Sequence, residues 1–142
     1  MLLGRLRNNP PAKRVVTASI YACACLPIGH VLAAYYAAQS YTGRAVVMSA
    51  RIAVVGCIVL AAACFAALLQ SSCVVILGIV GASLCWPYFG ALAANPWRIL
   101  DLARHFFYGW TEVWSILSLF VATIYSLVQL RAVLRPSKVN PH

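Results

Sequence analysis

The stretch VVTASIYACACLPIGHVLAAYYAA, Val15–Ala38, runs for 24 residues without a Lys, Arg, Asp or Glu. An α-helix needs about 20 predominantly apolar residues to cross a hydrocarbon layer about 30 Å thick, and this stretch exceeds that length. Three more apolar runs follow: Ile52–Leu69, Cys73–Ala94 and Phe106–Leu130. Four such segments in 142 residues leave too little polar surface to cover them in water. The expected fold is therefore an all-α integral membrane protein, a four-transmembrane-helix up-down bundle. Its spans fall at about 15–38, 46–69, 73–94 and 106–130. Residues 1–14 form a basic N-terminal segment and residues 131–142 a basic tail.

Composition agrees with this assignment. Hydrophobic residues make up 63% of the chain and charged residues 9%, against about 25% charged in soluble domains. Only Asp101 and Glu112 are acidic, and the formal charge is +9. The basic residues sit at the ends of apolar runs, where they suit phospholipid head groups. They form no stripe with interleaved aromatics, so nucleic acid is not an expected partner. The lipid bilayer is.

The distribution of Lys and Arg sets an expected orientation. Seven lie in the N-terminal segment and the C-terminal tail, none lies in the turn Gln70-Ser71-Ser72, and four lie in the other two loops. This bias places both termini in the cytoplasm, as in a bacterial inner membrane. The Arg-rich, acid-free start also fits the mitochondrial inner membrane as an alternative. All six cysteines fall within or beside apolar runs, which argues against a disulfide framework.

Pro10-Pro11 stops regular structure just before the first span. Arg44 and Arg51 share a helical face seven residues apart, so the second helix extends to residue 45 or so beyond the lipid. Gln70-Ser71-Ser72 is so short that the second and third helices must be antiparallel neighbours. Asn95-Pro96 resembles a helix start, and Trp97–His105 is amphipathic. A short interfacial helix before the fourth span is expected there. Twelve of the sixteen aromatic residues fall toward the loop-bearing outer side. This fits a membrane-interface belt, with a partner surface or lipid-binding groove as the alternative.

Chemistry-bearing residues are few. Cys23, Cys25 and His30 surround Pro27 in the first span, and thiols with imidazole suit a soft metal ion. Cys23 and Cys25 point about 200° apart on a regular helix, however. The plainer reading is a kinked helix with one hydrogen-bonded His30. Glu112 lies inside the fourth span and is a candidate proton- or cation-coupling carboxylate. Its plainer reading is an outer-face charge cluster with Arg51, Arg98, Asp101 and Arg104. Small residues on the third span (Gly78, Gly81, Ala82, Cys85) and second span (Ala53, Gly56, Cys57, Ala61, Cys64) allow close helix approach.

No phosphate-cradling loop, zinc signature or Ser-His-Asp set is present, so no cofactor and no enzymatic activity are expected. The expected role is an accessory or assembly subunit of a larger membrane complex, with membrane-protein partners or further copies of itself. The alternative is a small transporter of protons, cations or soft metal ions using Glu112, or Cys23, Cys25 and His30. A third option is a scaffold chain for a heterodimeric membrane enzyme.

Overall fold

The computed structural model describes residues 10–37, 44–69, 71, 73–94 and 107–135. These residues form helices α1 (Pro11–Ala37), α2 (Arg44–Leu68), α3 (Val74–Ala93) and α4 (Phe107–Leu134). All four are long and apolar enough to cross a membrane, and their composition suggests a membrane protein. The expected interfacial helix over Trp97–His105 lies outside the described residues.

α1 begins four residues earlier than its apolar run. Pro11 takes the first helical position, where its missing N–H is no loss. The Pro10 carbonyl accepts the amides of Lys13, at 2.9 Å, and Arg14, at 3.3 Å. The basic residues before the apolar run are thus already helical. α4 likewise runs past Leu130 to Leu134, carrying Arg131 in its last turn. α1 continues through Pro27 and α3 through Pro87. At the end of α2, the Ser71 amide donates to the Ala66 carbonyl at 2.9 Å, the wide bond that closes a helix C-terminus. The Ser71 hydroxyl then accepts the Cys73 amide at 3.3 Å, leading into α3.

Each helix packs on its sequence neighbours, and α1 closes the ring against α4. The α2–α3 contact is the closest, because glycines face each other across it. A Cβ at Gly56 would lie 2.8 Å from the Gly81 carbonyl oxygen, and one at Gly81 would lie 2.9 Å from the Leu60 amide nitrogen. Apolar surface is no driving force between helices in lipid, so such backbone approach supplies the packing energy instead. The register is antiparallel, with Cys85 of α3 donating to the Ala53 carbonyl of α2 at 3.7 Å.

Polar side chains inside the bundle bond to one another. Tyr21 of α1 is fully buried and its hydroxyl meets the Ser126 hydroxyl of α4 at 2.8 Å. Gly78 of α3 makes room for that ring, since a Cβ there would overlap the Tyr21 hydroxyl. Thr17 meets the Tyr125 hydroxyl at 2.5 Å, and Trp86 of α3 donates to Thr123 of α4 at 3.0 Å. At the opposite end Tyr35, Tyr88 and Phe89 stack edge to face, with centroids 5.8 Å and 5.1 Å apart. Tyr88 and Phe89 are buried. These aromatics of the expected belt turn inward and join the core.

The outward faces are apolar on every helix: Leu26, Ile58, Phe65, Ile76 and Trp114 are each more than half exposed. Water-soluble monomers rarely show such contiguous surface.

Candidate functional site: the groove between α1 and α4

α1 and α4 touch through Thr17, Tyr21, Tyr125 and Ser126 near the end that carries Pro11 and Leu134. Beside these contacts a groove of about 910 Å³ opens between their outward faces. On α1 its wall includes Ser19, Cys23, Pro27 and His30, a stripe at three- and four-residue spacing that the helical repeat places on one face, flanked by Val15, Val16, Ile20 and Leu26. On α4 the facing stripe includes Thr111, Trp114 and Ser118. From Val15 to His30 the groove follows about 22 Å of helix axis.

His30 is exposed in this groove. It stands seven residues before the end of α1, about 10 Å from that end. It is therefore about as far from the middle of α1 as from its loop end. Trp110, opposite it, is 57% exposed and Trp114 is 62% exposed. Val15, Val16, Ile20, Leu26, Leu117 and Val121 make most of the rest of the wall apolar. The Ser118 hydroxyl turns back to the Ser115 carbonyl at 3.1 Å.

Cys23, Cys25 and His30 are not brought together. Cys23 lines the groove with His30, while Cys25 leaves by another face and meets Cys57 of α2, Sγ to Sγ at 3.5 Å. Two residues apart on a regular helix, the two thiols diverge, and Pro27 does not bring them round. Among the described residues no group of three or more His, Cys, Asp or Glu is placed to hold a metal ion.

Glu112 stands outside the groove lining and is half-buried, with its Oε2 covered by protein. Arg51 is exposed on the second turn of α2. Arg98, Asp101 and Arg104 lie outside the described residues, so the expected charge cluster does too.

Two features had no reading in the sequence. One is the partnership of Cys57 with Cys25, for which no one-dimensional signal exists. The other is the groove wall. Ser19, Cys23 and His30, four and seven residues apart, do form a polar stripe that periodicity alone would have revealed.

Comparison with known proteins adds no function: no family model, no curated protein and no solved structure matches the chain.

Proposed function

We propose that this chain is an integral membrane protein acting as an accessory or assembly subunit of a larger membrane complex, and that its partner lays a transmembrane helix into the α1–α4 groove. The observation that carries the proposal is a long, mainly apolar groove between two outward helix faces, with the small residues Ser19, Cys23 and Ser118 in its wall. Small wall residues such as Ser19 and Ser118 let a helix backbone approach closely. The groove's length of about 22 Å suits a helix crossing most of the bilayer. Among the described residues no acidic side chain lines it, which disfavours a free cation as occupant. Following the Lys and Arg bias, both termini face the cytoplasm, in a bacterial inner membrane or alternatively a mitochondrial inner membrane.

The test is purification in mild detergent with native mass determination on three chains: the wild type, Ser118→Trp to fill the groove, and Ile58→Trp on the outward face of α2. A second membrane protein should accompany the wild type and Ile58→Trp and be lost from Ser118→Trp. A wild type that travels as a bare monomer or as a dimer of itself refutes the proposal, as does equal loss from both variants.

One observation favours a second reading, ion coupling: a carboxylate oxygen of Glu112 is covered by protein within a spanning helix. Proton or cation flux into vesicles carrying Glu112→Gln or His30→Ala decides it, and unchanged flux in both removes it.

A further inference from the structure

Cys25 of α1 and Cys57 of α2 point at each other. Their Sγ atoms are 3.5 Å apart, and each Sγ also stands 3.5 Å from the other residue's backbone carbonyl oxygen. The reciprocal contacts hold both side chains in facing rotamers. One turn along α1, a Cβ at Gly29 would stand at an ordinary 3.6 Å from the Cys57 sulfur, so Gly29 faces this pair. A disulfide bond is about 2.05 Å long, so bond formation asks the sulfurs to close by about 1.5 Å. Neither thiol is sealed in the core as Cys85 is; both are half-buried.

Position decides what can react with them. Cys25 is 14 residues into α1 and 12 from its end, and Cys57 is 13 residues into α2 and 11 from its end. Both therefore sit about 16–21 Å along the axis from either helix terminus. In a bilayer this is the middle of the hydrocarbon, where charged water-soluble thiols and disulfides do not dissolve. A neutral, lipid-soluble two-electron acceptor does.

We propose that Cys25 and Cys57 form a redox-active dithiol, oxidised within the membrane by a quinone to a disulfide that staples α1 to α2. One sulfur gives up its proton and adds to a quinone ring carbon. The second sulfur gives up its proton and attacks the first; the S–S bond forms as the C–S bond breaks. The quinone departs with the two electrons and both protons as the quinol. This inference rests on the membrane placement of the helices and is independent of any partner in the groove.

The test uses the full chain in phospholipid vesicles, reduced, freed of reductant and kept anaerobic, with a short-chain benzoquinone added to the lipid. The expected result is one quinol per chain, four of the six cysteines still open to alkylation after denaturation, and a single linked peptide pair joining Cys25 to Cys57. Cys64→Ala, which keeps the pair, should give the same yield. Cys25→Ala and Cys57→Ala should give none while keeping wild-type helicity by circular dichroism. Oxidised glutathione supplied in the water phase should leave the pair reduced. Six alkylatable cysteines after quinone treatment, a link between other cysteines, loss of the link in Cys64→Ala, or cross-linking by glutathione alone each overturns the proposal.

Discussion

Replacing Gly81 by alanine tests whether the α2–α3 interface is held by backbone contact. The added Cβ would stand 2.9 Å from both the amide nitrogen and the Cγ of Leu60, and 3.1 Å from the Gly56 carbonyl oxygen. Leu60 can swing its side chain away. Its amide and the Gly56 carbonyl are backbone and cannot. Non-bonded carbon contacts settle near 3.5–4.0 Å, so the two helices must part by roughly 0.5–1 Å along their closest stretch. Overpacking of this kind costs about 1–3 kcal/mol. Alanine returns at most about 1 kcal/mol through its better helix propensity. The net expectation is a loss of about 1–2 kcal/mol, a factor of about 5–30 in the folded-to-unfolded ratio. Gly90→Ala is the internal control: among the described residues its Cβ would meet only Trp86 Cε3, at an ordinary 3.7 Å, and should be neutral or slightly stabilising. Unfolding of both variants in mixed micelles, titrated with sodium dodecyl sulfate and followed by circular dichroism, gives the comparison. If Gly81→Ala proves as resistant as Gly90→Ala, the glycines are not where the helices bear on each other and the reasoning fails.

Three further outcomes are expected. Tyr21→Phe and Ser126→Ala should each destabilise the bundle, and the double variant should show a coupling of about 0.6 kcal/mol, the usual worth of an interhelical hydrogen bond in a membrane protein; strictly additive effects would mean the 2.8 Å contact contributes nothing. Tyr35→Phe should be neutral or stabilising in the same titration, because the Tyr35 hydroxyl is buried with no hydrogen-bond partner among the described residues; a loss above about 1 kcal/mol, the worth of a typical hydrogen bond, counts against that assignment. The Cys25–Cys57 disulfide, once formed, closes a loop with a sequence separation of 32 and should raise resistance to unfolding by about 3–4 kcal/mol on the chain-entropy argument. An oxidised chain no more resistant than the reduced one would show native strain cancelling that gain.

Hydropathy located all four helices, because the length of an apolar run is itself the structural constraint in a bilayer. Helix ends were less legible. Ala12, Lys13 and Arg14 are polar or small, yet they are helical because Pro10 offers a carbonyl that starts the first turn. The third span was legible as a small-residue surface, but the division of labour within it was not. Gly81 meets α2, whereas Gly78 receives Tyr21 from α1. In a soluble helix an amphipathic stripe would have marked the inward face. Here both faces are apolar, so the azimuth of each helix leaves almost no trace in the pattern. The divergence of Cys23 from Cys25 followed from helical geometry alone. The identity of Cys57 as the thiol that Cys25 meets depended on how two helices rotate against each other.

The polar anchor of the first helix has a consequence for biosynthesis. Thr17 and Tyr21 find Tyr125 and Ser126 only on the fourth helix, made well after the first. Until α4 is synthesised, an emerging chain of three spans carries two hydroxyls in its opening segment with their eventual mates still unmade. Synthesis of the fourth span and closure of the ring are thereby tied together, and a chain truncated before Tyr125 should keep α1 packed on α2 but leave Tyr21 without its Ser126 partner.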